Sequence, residues 1–377
     1  MKKIYWRPQS MPFFAFIIIA VFSATGLAAV EHFKFAVRKP FYQEKVAATK
    51  LAQSAMEAVK KEALARGMEI DPETDPAHTG LIGSAVTLVT SDAGDLEAKQ
   101  TSANPNFAGV IVELMKRGKV KPGDTIAVSL SGSFPALNIC VYAAITTLKL
   151  KPVIISSAAS SQWGANDPDF LWIDMENLLQ KDGIFPFRSV AASMGGRNDR
   201  AREMSVKGRT LIKTAIERNN LPLISLKKIQ ENIDERMSIY YAAAPPRLYI
   251  NVGGGVAAVG PRTFKKSLKP GLILAEAPVE DKNDSVIRHF LKEDIPVIHI
   301  EDVKELARHY GLPVAPVSAP RIGQGKVFVE YRYNNWLAGG ILLGIILGLY
   351  LFGRIDWGFR MLQTSMKRED GPPAPMV

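Results

Sequence analysis

The sequence predicts an α/β fold: a largely parallel, doubly wound sheet domain flanked by two transmembrane helices. Three observations point there. Short apolar runs such as "TIAVSL" (125–130) alternate with stretches of helical period through the middle of the chain, the pattern of strand–crossover–strand units. Several of these runs end in loops of small residues, as strands do when a helix or ligand follows closely. Two long uncharged apolar segments lie near the two ends.

In chain order, "PFFAFIIIAVFSATGLAAV" (12–30) is long enough to span a bilayer and follows Lys2, Lys3 and Arg7. It is expected to be an uncleaved anchor, although Gly26-Leu27-Ala28 also fits the small-x-small pattern of a signal-peptide cleavage site. Phe41 to Arg66 is helical, with Val46, Leu51, Met56, Val59 and Leu64 recurring near a helical period, and Gly67 ends it. This stretch is expected to be a stalk, followed by the turn-rich linker "DPETDPAHTG". "SAVTLVT" (84–90) is expected to be a strand and 105–117 a helix. "TIAVSL" is a strand, 135–148 a helix and "PVIISS" (152–157) a strand. A short helix near 174–180, the strand "RSVAAS" (188–193) and helices over 199–218 and 226–243 follow. The strands "RLYINV" (247–252) and "GLILAEA" (271–277), a helix over 283–292, the strand "PVIHI" (296–300) and a helix over 303–310 complete the domain. The last apolar segment, "WLAGGILLGIILGLYLF" (336–352), carries Gly340, Gly344 and Gly348 four residues apart. That spacing puts them on one helix face, where another helix can approach closely.

The expected layout is a cytoplasmic tail (1–11), a span (12–30), a helical stalk and linker (31–80), an extracytoplasmic α/β domain (81–335), a span (336–352) and a second cytoplasmic tail (353–377). The basic residues of the two tails place them in the cytoplasm. Of the net charge of +10, the tails carry +3 and +1, leaving +6 on the region between them. A basic balance favours polyanions, anionic lipids or acidic substrates. No run of Lys and Arg interleaved with aromatics is present, so nucleic acid is not an expected partner. The lone cysteine, Cys140, excludes an intrachain disulfide and sits in an apolar helix, where a buried, inert thiol is expected.

Three strand ends carry small-residue loops: Ser131-Gly132-Ser133, Gly195-Gly196-Arg197 and Gly253-Gly254-Gly255. Ligands of open α/β sheets sit at the carboxyl ends of strands, and glycines let backbone N–H groups approach an anion. Arg197 and Arg262 would add charge-assisted bonds. Each loop is equally readable as a tight turn that needs glycine. Gly253-x-Gly255-x-x-Ala258, with Glu276 beyond it, also fits a dinucleotide fingerprint, a short pattern of low specificity. No Lys-Ser/Thr follows Gly260, so there is no P-loop, and no cofactor is expected. Asp167, Asp169, Asp174 and Glu176 form a dense acidic cluster suited to a hard cation or an acid/base pair, yet equally to helix caps and turns. No His pair has zinc spacing, and no metal is expected. A Ser–His–acid triad stays open, but "SLSGSF" is not G-x-S-x-G.

The stretches "SGSFPALN" (131–138), "SSQWGANDPDFLWIDME" (160–176) and "GGRNDRAREMSVKGR" (195–209) resemble the poly-γ-glutamate system proteins, and the likeness extends over nearly the whole chain. That resemblance implies a membrane-anchored component of poly-γ-glutamate capsule or polymer synthesis and export in the bacterial cytoplasmic membrane. It implies membrane partners that make and export the polymer, and it carries no catalytic residue onto this chain. The expected role is an accessory protein whose extracytoplasmic domain binds the anionic polymer. The alternatives are an extracytoplasmic hydrolase or transferase acting on it, and a scaffold without a ligand.

Overall fold

The computed structural model describes residues 13–274 and 284–354, so the tails, Glu276 and the far end of "GLILAEA" lie outside the described residues. The chain divides into two compact units, one formed from 1–37 and 330–377 and the other Arg38–Val329.

The smaller unit holds α1 (Phe13–His32) and α13 (Asn335–Arg354). Each is long and apolar enough to cross a membrane. They pack on one another: a Cβ added to Gly26 would lie 2.5 Å from Ile341, and one added to Gly344 3.1 Å from the Phe22 ring. The three glycines singled out in the sequence do not act as one face against α1, because a Cβ added to Gly340 or Gly348 would meet nothing within 4 Å among the described residues. The partner of Gly344 is a phenylalanine, and the close approach on α1 is made by Gly26. A two-stranded ribbon, β1 (Phe35–Arg38) with β11 (Val329–Arg332), lies at the boundary of the two units.

The larger unit is α/β. Its helices begin with α2 (Tyr42–Ala65), α3 (Leu96–Ser102) and α4 (Phe107–Arg117). Strand β2 (Thr125–Ser131), helix α5 (Pro135–Leu148) and strand β3 (Lys151–Ser157) come next, then a minute hairpin of β4 (Asn166–Asp167) and β5 (Phe170–Leu171). They are followed by α6 (Trp172–Lys181), β6 (Ala191–Ser193), α7 (Val206–Arg218), β7 (Leu223–Ile224), α8 (Ile229–Tyr241) and β8 (Tyr249–Val252). The last elements are α9 (Val256–Val259), α10 (Arg262–Lys265), β9 (Gly271–Ile273), α11 (Val286–Lys292), β10 (Val297–Ile300) and α12 (Val303–Tyr310). Seven strands form one sheet in the order β7-β6-β3-β2-β8-β10-β9, parallel throughout except for β9 against β10.

Central strand β2 shows why these runs are strands. Ile126, Val128 and Leu130 point into the large core cluster with α2, α4 and α5, while Ala127 points into a second cluster with residues of α8 and α11. A strand buried on both faces reads as an unbroken apolar run, as "TIAVSL" does. In the second cluster Tyr249 stacks on Phe290 with ring centroids 4.6 Å apart. Helix α5 matches its expected bounds because both ends are encoded: Pro135 opens it, and Lys149 in the left-handed conformation (φ 55°) closes it. Being apolar on all sides, it is buried along nearly its whole length.

Three expectations are corrected. Helix α2 is not a stalk: it packs against α4 and α5, burying Ala48, Ala52, Ala55 and Val59. Small alanines let it lie close, whereas Leu64, counted in the sequence pattern, is 48% exposed. Residues 84–90 are not a strand. At their start the Ser84 N–H donates to Asn166 Oδ1 (3.0 Å) and Asn166 Nδ2 donates to the Ser84 carbonyl (2.7 Å), while only Thr90 makes an isolated bridge, to Ser160. The helix expected from residue 199 starts at Val206, capped by Ser205, whose Oγ accepts from the Gly208 N–H at 3.1 Å.

Candidate functional site

The chain leaves β2 toward β3 on one side, and β8 enters on the other, so the connections from these neighbouring strands diverge. A crevice at the carboxyl end of the sheet is the geometric result. The structure has a cleft of about 730 Å³ there, walled by the loops after β2, β3, β6, β8 and β10 and by the segment from Ser91 to Lys99.

All three small-residue loops come together at this cleft. Ser131 and Ser133 line it, while Gly132 lies beneath, where a Cβ would approach the Ala159 carbonyl oxygen at 3.0 Å. Gly195, Gly196 and Arg197 line it, with both glycines in the left-handed region (φ 74° and 67°). Gly254 and Gly255 line it, and Gly253 (φ 94°) makes the turn against the Ser131 Cβ. The turns need glycine, and the loops also face one cavity.

Arg262 does not join them; it is exposed at the start of the short helix α10. The acidic cluster lies away from the cleft, with Asp167, Asp169 and Asp174 all acting on Arg218. Asp167 accepts the Asp169 N–H in a turn (2.8 Å). Asp174 accepts the Leu171 N–H (2.8 Å) at the start of α6 and pairs with Arg218. Glu176 is fully buried, accepting from the Tyr142 hydroxyl and from Ser189 Oγ (2.9 Å). None of the four lines the cleft, and among the described residues no group of potential ligands could hold a metal ion. The dinucleotide pattern lacks its helix, since α9 has four residues and stops at Gly260 (φ 86°). Cys140 is buried, and burial raises its thiol pKa, as an inert thiol requires.

The charges around the cleft are mixed. Six carboxylates (Asp92, Asp95, Asp199, Glu203, Glu301, Asp302) and four cations (Lys99, Arg197, Lys265, Lys304) line it, so the positive balance of the chain is not concentrated there. Most are already engaged. Lys304 pairs with Asp95 at 2.6 Å, and Lys265 pairs with Glu301. Burial pushes the Glu301 carboxyl up, but bonds from His299 and Lys265 outweigh it and hold the group below its usual range. Asp199 pairs with Arg236 at 2.8 Å in a nearly dry setting and accepts from Ser193 Oγ at 2.7 Å; burial still raises its pKa. Among the described residues, Lys99 and Arg197 have no carboxylate within ion-pair distance.

Lys99 is the residue that sequence reasoning missed. It lies on α3, 2% exposed, with Nζ donating to the Ser133 carbonyl and to Ser161 Oγ (2.8 Å) and sitting 4.1 Å from the centre of the Phe134 ring. Burial lowers its pKa to about 7, against a smaller upward pull from Asp95. Ser161 in turn donates its N–H to Ser133 Oγ at 3.0 Å. No local pattern signals this: lysine is by default exposed, and only the folded loops enclose it.

Fold and site together define an α/β protein with a polar cleft at the carboxyl end of its sheet and two helices of membrane-spanning length. No known protein family, curated protein or solved structure matches the chain.

Proposed function

We propose that this protein is a membrane-anchored accessory component of poly-γ-glutamate production or export, with an extracytoplasmic, doubly wound α/β domain that binds the anionic polymer. In this reading α1 and α13 are both spans of the bacterial cytoplasmic membrane, and both termini are cytoplasmic. The observation that carries it is the convergence of the loops at Ser131, Gly195 and Gly254 on one cleft, where, among the described residues, Lys99 and Arg197 lack carboxylate partners. A polymer with one carboxylate and one amide per unit suits a cleft that offers cations, serine hydroxyls and glycine backbone together. Gly340 and Gly348 leave room on α13 for a helix of the synthesis or export machinery.

The test mixes the full-length chain in detergent micelles with poly-γ-glutamate and follows co-elution by size-exclusion light scattering. Co-elution at low salt that fades at high salt is expected, because ion pairs at an open cleft are screened. Absence of co-elution at low salt would remove the reading. The second reading, a hydrolase or transferase acting on the same polymer, is favoured by one contact, that of Lys99 with Ser161.

A further inference from the structure

We infer that Ser161 and Lys99 form a nucleophile–base pair that cleaves an amide or ester bound in the cleft. Four features carry the inference. The Lys99 amine lies 2.8 Å from Ser161 Oγ, within proton-transfer reach. Both residues line the open cleft of about 730 Å³, so a substrate carbonyl can reach the hydroxyl. Ser133 positions both partners, its carbonyl accepting from Lys99 Nζ and its Oγ from the Ser161 N–H. The fourth feature is the surroundings of the lysine. The charge that acts on it is Asp95, at the cap of its own helix, which is itself paired with Lys304 of α12. Glu97 on α3 is held by the same Lys304. From the loops after β2 and β3, Lys99 meets Ser133, the Phe134 ring and Ser161, none of them a carboxylate.

A lysine so placed loses its proton easily. Its pKa near 7 leaves a large share of neutral amine at physiological pH, the form that can accept a proton. A lysine serving only as a structural clamp would be expected to hold its charge with a carboxylate partner.

The step balances with water as the one co-reactant. Ser161 Oγ bonds to the substrate carbonyl carbon while its proton passes to Lys99 Nζ. The carbon–nitrogen or carbon–oxygen bond then breaks, and the Lys99 ammonium returns that proton to the leaving amine or alcohol. Water adds to the resulting seryl ester, losing a proton to Lys99, and the acid departs as Ser161 Oγ regains it. If the polymer reading holds, on which this substrate assignment rests, the bond cleaved is the γ-glutamyl amide.

The experiment treats the full-length chain in detergent micelles with an alkyl fluorophosphonate and reads the modified residue by mass spectrometry. Labelling of Ser161 is expected, rising about tenfold per pH unit up to about pH 7 and levelling above it. Ser161→Ala should remove the label, and Lys99→Met should slow it by about 100-fold or more while the chain stays folded. No label on Ser161 at pH 8 overturns the inference, as does a rate in Lys99→Met within about threefold of the parent. If Lys99→Met does not fold, the parent's pH profile decides, and a flat profile across neutrality overturns it. Polymer co-elution of the parent is scored separately: its loss sinks the binding reading and leaves the labelling result standing.

Discussion

Two buried groups in the α/β unit titrate near neutrality in opposite settings. Glu176 is 0% exposed and Lys99 2%, and burial moves both to about pH 7, the carboxyl upward and the amine downward. Glu176 accepts from Tyr142 and Ser189, and Tyr142 packs edge-on against Trp172, Phe185 and Phe187, so the carboxyl does not line the cleft. Among the described residues its Oε1 finds no hydrogen-bond partner. Lys99 has the same degree of burial, but its polar end borders an open cleft and touches a hydroxyl. The difference teaches that a displaced pKa marks desolvation, and that access decides whether desolvation can serve chemistry.

The comparison can be broken first through stability. Between pH 7 and 10.5 the unfolded chain keeps a proton on Lys99 that the folded chain releases, so this group's penalty is complete below pH 7 and fades as pH rises. Lys99→Met should therefore gain stability relative to the parent, by an amount that shrinks by on the order of 4 kcal/mol across that window, read from denaturation midpoints at several pH values. Glu176 has the opposite sign. Between pH 4.5 and 7 the folded chain keeps a proton that the unfolded chain has lost, so its contribution falls as pH rises through that window. Glu176→Gln should flatten a slope worth about 3 kcal/mol without altering polymer binding or Ser161 labelling. A change in either would mean that the enclosed carboxyl is coupled to the cleft and that the contrast fails.

Smaller effects sharpen the cleft itself. Gly253→Ala is strained at φ 94° with Ser131 Cβ at 2.8 Å, and should cost about 1–3 kcal/mol in thermal or chemical unfolding. Gly255→Ala meets open space at φ −59° and should change stability by less than about 0.5 kcal/mol, so any effect on co-elution would come from the cleft. In the membrane helices, Gly26→Leu should weaken the α1–α13 contact while Gly340→Leu leaves it unchanged, as measured by cysteine cross-linking between the two helices.

Much of this was legible in the sequence wherever the signal is local. The apolar strands, the proline that opens α5 and the glycine loops are short-range patterns, and the parallel sheet follows from their alternation. The meeting of Ser131, Gly195 and Gly254 was legible only as a tendency of strand ends, because nothing in the chain states strand order. The rest depended on distant partners. Residues 84–90 had the composition of a strand, but Asn166 took the backbone bonds of Ser84 at their start. The alanines of α2 were invisible as a packing face because small side chains weigh little in a periodicity count. Lys99 became unusual only when two loops far along the chain closed over it.

The bond from the Lys39 N–H to the Phe328 carbonyl, at 2.9 Å, brings the two ends of the α/β unit side by side. A unit whose ends meet is an insertion, and an insertion can be cut out and its ends spliced. A short linker joining 38 to 329, with new termini opened at the exposed residues 317–319, should give a circular permutant that keeps the sheet. Its cleft would then be open to study in plain buffer.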